Sequence, residues 1–226
     1  MLRAPCGHAQ RGLSIIELLV GMAVGLIVVG GALALFVGNL NSSRQLLSET
    51  RLNQDLRAAV DLVTRDMRRA AFWGNSIHGT IAIGATAVTA QNPYAAITNA
   101  SGSEIAYTFT RDNVENDTLD ANERFGLRLA GGALQMQVGN GGWADLTDTK
   151  SLTITGFSLT PTATVLALGH LCPKVCAIGA PNCPAVTVRK VAVVVHGQSV
   201  KDAALKRSLR SEVRLRNDQL TGTCPL

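Results

Sequence analysis

An uncharged apolar run extends from Leu18 to Gly38 near the start of the chain. As a helix with a rise of about 1.5 Å per residue it would be about 32 Å long, which matches the ~30 Å hydrocarbon core of a bilayer. The run therefore predicts a membrane-spanning helix. A cleaved secretory signal peptide is the alternative, but residues 37–41, at the end of the run, make a poor cleavage site.

A second pattern begins near Leu46, where apolar residues recur at steps of three and four. This spacing places them on one face of an α-helix, with charged residues on the opposite face. The apolar positions are Leu52, Leu56, Ala59, Val60, Val63, Met67, Ala70 and Ala71. Because no proline occurs between Leu13 and Phe72, we predict one continuous helix that Gly74 and Asn75 end.

After Gly74 the pattern changes to short β-like runs separated by Gly, Asn, Asp and Ser. The predicted strands are Glu104–Thr110, Phe125–Leu129, Ala133–Val138, Ser151–Thr160, Ala185–His196 and Lys206–Arg216. We expect Pro161 to end the fourth strand, residues 77–90 to be loop with a weak strand, and residues 111–123 to be a solvated acidic loop. Short connections favour antiparallel pairing. The predicted fold class is α+β, with a long N-terminal helix packed on an antiparallel β-sheet head.

The basic charge is concentrated partly in front of the apolar run. The formal net charge is +5, and removal of residues 1–12 with Arg3 and Arg11 would lower it to +3. The positive net charge thus comes partly from a targeting signal and is only weak evidence for nucleic-acid binding. Since positive residues stay in the cytoplasm, the N-terminus is predicted to be cytoplasmic and the remainder exported.

Four cysteines, Cys172, Cys176, Cys183 and Cys224, fall in the last quarter of the chain, while Cys6 precedes the apolar run. In an exported segment this even number predicts two disulfides, with three alternative connectivities. A metal site that includes His170 is the alternative, but the spacing does not match a zinc motif.

Glu17 is a single carboxylate placed just inside the apolar segment. An ionised group there is costly, so it calls for a cation delivered within the bilayer. The new α-amino group of Leu13 in a neighbouring copy, exposed by cleavage after Gly12, would supply one and would fix the offset between the two helices. The alternative is a carboxylate that merely reaches the lipid headgroups.

The sequence from Gly12 to Leu18 (Gly-Leu-Ser-Ile-Ile-Glu-Leu) resembles the class III signal of type IV prepilins. The segments 18–30 and 65–74 are similar to the PilW group of minor pilins, as is the stretch 212–218, and the J-type minor pseudopilins of type II secretion share the architecture. The resemblance implies cleavage between Gly12 and Leu13, N-methylation of Leu13, and a role for Glu17 in assembly. Major pilins usually carry a proline in this helix, whereas this sequence has Gly25, Gly30 and Gly31.

The resulting prediction is a minor pilin that helps to assemble or initiate a type IV pilus. It divides the chain into a leader (1–12), a transmembrane helix (13–38), an amphipathic extension (39–73) and a periplasmic head (74–226). Its expected partners are the prepilin peptidase and N-methyltransferase, other minor and major pilins, and inner-membrane lipid before assembly. After assembly it would reside in the pilus.

Other functions receive less support from the sequence. A type II pseudopilin remains the main alternative. A DNA-uptake pilin would use the basic strand at 206–216 with Arg189 and Lys190, but that strand lacks interleaved aromatics. The acidic residues of 111–123 do not follow a calcium-loop spacing. No catalytic motif is apparent, so neither an enzyme nor a cofactor is predicted, and a secreted disulfide-bonded enzyme with an uncut signal is disfavoured.

Overall fold

The computed structural model describes residues 12, 14–80, 90–99, 101–111, 113–176 and 182–225. One long helix, α1 (Ile15–Met67), is followed by nine strands in the described residues. The strands are β1 (Ile97–Asn99), β2 (Glu104–Thr108), β3 (Arg124–Ala130), β4 (Ala133–Val138), β5 (Trp143–Asp145), β6 (Leu152–Ala167), β7 (Ala185–Ser199), β8 (Lys206–Arg214) and β9 (Gln219–Thr221). The predicted α+β fold, with a long apolar N-terminal helix and an antiparallel β-sheet domain, is confirmed. It matches the type IV pilin fold.

Helix α1 ends earlier than the periodicity predicts. The amide of Ala71 donates to the carbonyl oxygen of Thr108 at 2.8 Å instead of continuing the helix, and Ala71 itself adopts a φ of +64°. This left-handed conformation turns the chain away from the helical path. The prediction that the helix continues to Trp73 was therefore wrong by six residues, although Ala70 and Ala71 are both buried as the apolar pattern predicted.

The chain divides into two compact units, residues 1–48 and 49–226. In the second unit, α1 buries the face that the sequence pattern identified. Its buried apolar residues are Leu52, Leu56, Ala59, Val60, Val63 and Met67. They form one core cluster with apolar residues from all the longer strands, including Tyr107, Phe125, Leu159 and Val193. The helix face and the β-strands thus share a single hydrophobic core.

The first sheet has the order β1-β2-β3-β4-β5, with every neighbouring pair antiparallel. Its central hairpin joins β3 to β4 through Gly131 and Gly132, whose φ angles are +60° and +78°. Two consecutive positive φ angles define the turn that suits a two-residue hairpin, and glycine adopts them without steric cost. This predicted hairpin is confirmed.

The second sheet has the order β6-β7-β8, and β9 also pairs with β7. Pro161 does not end β6 as predicted, since the strand continues to Ala167 and pairs with β7 along its whole length. The amide of Leu159 points away from β7 and donates to the carbonyl oxygen of Gly102. Because the backbone direction repeats every second residue along a strand, the nitrogen of Pro161 also points away from β7. Its missing N–H therefore removes no bond to β7.

Two disulfides hold the C-terminal part of the head. Cys172 is bonded to Cys224 across 52 residues of sequence, and Cys176 is bonded to Cys183 across 7 residues. The connectivity is one of the three that the sequence left open. The longer loop ties the residues after β9 to the segment after β6, which holds a chain end that would otherwise fray.

The two disulfides are expected to contribute unequally to stability. Closing a longer loop removes more entropy from the unfolded chain, by the loop-closure estimate about 4 kcal/mol for the Cys172–Cys224 loop and about 2 kcal/mol for the Cys176–Cys183 loop. Urea unfolding of the full chain in detergent should therefore show a larger loss for the Cys172→Ser, Cys224→Ser double variant than for the Cys176→Ser, Cys183→Ser double variant. Cys6→Ser is the control, and equal losses would contradict this expectation.

Asp66 is a buried carboxylate in the last turn of α1. It is 7% exposed, and among the described residues no group donates a hydrogen bond to its Oδ2 atom. Its Oδ1 atom lies 3.8 Å from Nη1 of Arg69. Burial raises the pKa of Asp66 to about 6, and the charge of Arg69 offsets only part of that effect.

The folded-state pKa of Asp66 is thus above its ordinary value of 3.8, so the folded protein binds this proton more tightly than the unfolded chain. The stabilisation is fully present below pH 3.8 and is lost as the pH rises through about 6. We expect Asp66→Asn to raise the free energy of unfolding at pH 7 by about 1–2 kcal/mol, with no difference from the parent below about pH 4. Asp61→Asn, at an exposed position of α1, is the control. A pH-independent effect of Asp66→Asn would exclude this role.

Candidate functional site

The predicted processing and assembly residues lie at the start of α1. The helix begins at Ile15, where the amide of Leu18 donates to the carbonyl oxygen of Ser14 at 3.1 Å. Glu17 is in the first turn, where a carboxylate interacts favourably with the positive end of the helix dipole. Gly12 is exposed, while Leu13 lies outside the described residues.

The first unit exposes an extensive apolar surface. Helix α1 contains a window long and apolar enough to cross a membrane, and none of that window is buried within the chain. Ile15 and Leu35 are 80% and 74% exposed. Glu17 is the only ionisable residue between Gly12 and Arg44. An apolar surface of this size requires lipid or neighbouring helices as its surroundings, and it contains one carboxylate.

The glycines of this segment are open on the helix surface among the described residues. A Cβ atom placed on Gly21, Gly25, Gly30 or Gly31 would meet nothing within 4 Å. Gly21 and Gly25 are four residues apart and therefore share one face of the helix. Small residues at this spacing allow two helices in a membrane to approach closely.

The acidic loop, residues 111–123, is not simply solvated as predicted. Glu123 is completely buried, and its carboxylate accepts hydrogen bonds from the amides of Arg111 and Asp120 at 3.0 and 2.9 Å. The Tyr94 hydroxyl oxygen lies 3.3 Å from the same carboxylate. The pair Asp120 and Glu123 forms a capping box around a short 3₁₀ turn. The Asp-x-x-Glu spacing is the sequence signal that could have predicted this arrangement.

The same loop holds the segment that follows α1. Asp117 accepts a hydrogen bond from Nε1 of Trp73 at 2.6 Å, and Glu115 accepts one from the amide of Gly74 at 3.0 Å. Glu115 also accepts a bond from the Tyr94 hydroxyl at 2.8 Å. These carboxylates are engaged by protein donors, and no group of three or more metal-binding side chains occurs within the described residues. Asp112 of this loop lies outside them.

These contacts shift the pKa of two residues of the loop network. Burial by itself raises the pKa of Glu115, but hydrogen bonds from Tyr94, Thr110, Gly74 and Asp117 outweigh it and leave the pKa below its ordinary value. Burial and the bond to Glu115 raise the pKa of the Tyr94 hydroxyl. Glu115 therefore remains an acceptor and Tyr94 a donor at neutral pH, and the loop has a structural role.

The four late cysteines do not form the alternative metal site. Their sulfur atoms are bonded in pairs, so none is available as a thiolate ligand. His170 lies beside them in a short 3₁₀ turn and is exposed. The cysteine cluster is a pair of crosslinks.

Two of the four basic residues of strand β8, and Lys190 of the neighbouring β7, pair with carboxylates. Lys190 pairs with Glu212 at 2.7 Å, Arg207 pairs with Glu49 at 3.3 Å, and Arg214 pairs with Asp218. Arg189 donates to the carbonyl oxygens of Ala95 and Asn217 within the head. These four basic residues therefore make contacts within the chain, while Lys206 and Arg210 of β8 are exposed.

The comparisons with known proteins agree with this geometry. Residues 45–215 match the family described as Prepilin peptidase-dependent protein B, and residues 7–33 match the Prokaryotic N-terminal methylation motif. No curated protein and no solved structure matches the chain.

The first match covers α1 from residue 45 and nearly all of the head, and the second covers the proposed junction and the start of the apolar helix. The two matches do not overlap along the chain, and together they cover part of the first compact unit and most of the second. The chain belongs to the family Prepilin peptidase-dependent protein B and is a type IV pilin-like protein.

Proposed function

We propose that the protein is a minor pilin, a structural subunit that helps to assemble or initiate a type IV pilus. The observation that carries the proposal is the composition of residues 12–17, which combine an exposed glycine junction with a single carboxylate at the start of an exposed apolar helix. The methylation motif at residues 7–33 supports the same interpretation. PilW-type minor pilins are the group within this class that the sequence resembles.

Processing is the first step of the proposed function. A prepilin peptidase cleaves after Gly12 and releases residues 1–12, and Leu13 then becomes the N-methylated first residue. The junction is suited to a protease because Gly12 is exposed and precedes the first helical residue, Ile15. The family description, which names dependence on prepilin peptidase, supports this step.

Assembly is the second step. The carboxylate of Glu17 pairs with the new α-amino group of Leu13 on an adjacent subunit, where the low dielectric of packed apolar helices strengthens the attraction. An unpaired charge there would be costly, so the pair selects one axial offset between subunits. The open faces at Gly21 and Gly25 allow the helices to approach.

The proposed topology follows from charge and from the crosslinks. Arg3 and Arg11 precede the apolar helix and favour a cytoplasmic N-terminus in the inner membrane. The head, residues 74–226, would then lie in the periplasm, where its two disulfides are stable. Residues 13–38 span the membrane, and residues 39–73 contain the amphipathic part of α1.

Mass spectrometry of the mature N-terminus tests processing. We expect the purified protein to begin at N-methylated Leu13, because the peptidase acts at the Gly12 junction. Gly12→Val should leave the leader attached, while Gly38→Val, at the other end of the apolar run, should leave processing normal. An intact leader in the parent protein, or cleavage after the apolar run, would exclude the proposed prepilin.

Substitution of Glu17 tests assembly. We expect Glu17→Ala and Glu17→Gln to insert into the membrane at parental levels but to lower surface pili about tenfold, because the α-amino group loses its counter-charge. Glu17→Asp, which keeps the charge, should retain more pili than Glu17→Gln. Electron microscopy and immunoblotting of sheared filaments provide the measurement.

Two outcomes of the Glu17 experiment separate the remaining alternatives. Normal piliation in Glu17→Ala, with no defect in secretion, would contradict the pairing role. Normal piliation together with failure to secrete folded proteins would instead favour a minor pseudopilin of type II secretion, which shares the processing signal. Asp61→Ala, which removes an exposed carboxylate from the same helix, is the control for general effects on α1.

A further inference from the structure

The four late cysteines do not pair in the order in which they occur along the chain. In sequence they are Cys172, Cys176, Cys183 and Cys224. Cys172 is bonded to Cys224, and the loop closed by this bond contains the bond between Cys176 and Cys183. The first of the four to be synthesised therefore pairs with the last, although two other cysteines are closer to it in sequence.

The partner of Cys172 is placed by the last residues of the chain. Strand β9 pairs with the first residues of β7, and the amide of Thr223 donates to the carbonyl oxygen of Asn182 at 2.7 Å. These contacts position Cys224 and cannot form before the end of the chain has been made. At about 5–20 residues per second, the 52 residues from Cys172 to Cys224 take about 3–10 s to synthesise.

Cys176 is available to Cys172 much earlier. The amides of Cys172 and Cys176 both donate to the carbonyl oxygen of Gly169, at 3.4 and 3.2 Å, in a turn that uses only nearby residues. The loop between the two cysteines is also short, so less chain entropy opposes its closure. A thiol oxidant that acts as soon as thiols appear therefore joins Cys172 to Cys176. Cys183 then has only Cys224 as a partner, and we call these two the early bonds.

The early bonds cannot rearrange by themselves once both have formed. Disulfides exchange when a thiolate attacks one of their sulfur atoms. The early bonds consume all four late cysteines, and the remaining cysteine of the sequence, Cys6, lies in the leader. A thiolate from another molecule is therefore required.

We propose that the head is a substrate of an exported thiol–disulfide isomerase, which converts the early bonds into the two bonds of the folded head. This inference rests on the export of the head under the proposed function. The early bonds are made by a disulfide-carrying oxidant protein, which accepts two electrons and two protons for each. The isomerase differs from that oxidant because it must carry a free thiolate.

The rearrangement takes three exchange steps and no net oxidation. The isomerase thiolate attacks Sγ of Cys176, forms a mixed disulfide and releases the thiolate of Cys172. That thiolate attacks Sγ of Cys224, which breaks the bond to Cys183 and releases the Cys183 thiolate. The Cys183 thiolate attacks Sγ of Cys176 and releases the isomerase thiolate. Two disulfides are present in the head before and after, so the isomerase is regenerated.

Trypsin digestion distinguishes the two arrangements in the full chain. Lys174 lies between Cys172 and Cys176, and Arg216 precedes Cys224, so these cysteines fall on three different peptides. Cells are quenched with iodoacetamide, and the chain is digested without reduction and analysed by mass spectrometry. Peptide 151–174 joined to 217–226 reports the bond of the folded head. Peptide 151–174 joined to 175–189 reports the early bond.

The measurement compares parent cells with cells that lack exported isomerase activity. We expect the early link to rise at least fivefold in the latter, relative to the amount of chain. Two double variants are the matched controls: Cys172→Ser with Cys224→Ser, and Cys176→Ser with Cys183→Ser. Each leaves two late cysteines with only one possible bond, so that bond should form equally well with and without the isomerase.

The proposal would be overturned if cells without the isomerase formed only the link of the folded head, or if both double variants lost their single bond there to the same degree. A chain with all four late cysteines alkylated would instead show that the proposed export had failed. Refolding of the reduced full chain in detergent with oxidised glutathione then decides. Added protein disulfide isomerase should raise the folded-head link at the expense of the early one, and no change would overturn the proposal.

Discussion

Burial of one face of α1 against the strands is the interaction on which the head depends. Leu56 and Val63 are completely buried, and each such side chain contributes about 1.5–3 kcal/mol. The approach is close enough to restrict the facing strand, because a Cβ atom on Gly197 of β7 would lie 2.8 Å from the Leu56 side chain. The strand thus requires glycine where the helix crosses it.

The acidic loop completes what the helix begins. Once the amide of Ala71 bonds to Thr108, the chain leaves the helical path, and Trp73 and Gly74 donate to Asp117 and Glu115. The buried carboxylate of Glu123 holds the loop in turn through two backbone amides. A loop whose composition suggests solvation is therefore the connection between the helix end and the first sheet. Its carboxylates hold the segment after α1 in place, and the proposed assembly contact of Glu17 lies at the other end of the helix.

Local patterns predicted the parts of the fold that depend on local physics. The three-and-four spacing identified the buried face of α1, and Gly131-Gly132 identified a hairpin, because both are set by neighbouring residues. The length of β6 was not predictable in this way. A strand can continue through Pro161 only if β7 pairs with the edge away from the Pro161 nitrogen, and the sequence does not show which edge β7 occupies. Burial of Glu123 depends on Tyr94, which is 29 residues away. The candidate site at residues 12–17 is a contiguous motif and could be recognised, but its proposed ion pair joins two molecules, so the structure of a single chain does not contain it.

The long helix is synthesised first, but the residues that cover its apolar face come from the end of the chain. The side chain of Leu56 packs at Gly197, the carbonyl of Trp73 accepts a bond from Asn217, and Cys172 pairs with Cys224. Contacts between residues so distant in sequence form slowly, because a long loop must close before any of them is gained. During synthesis the apolar face of residues 52–67 is therefore exposed until nearly the whole head has been made. The order of synthesis thus creates an interval in which this apolar face has been made but the strands that cover it have not.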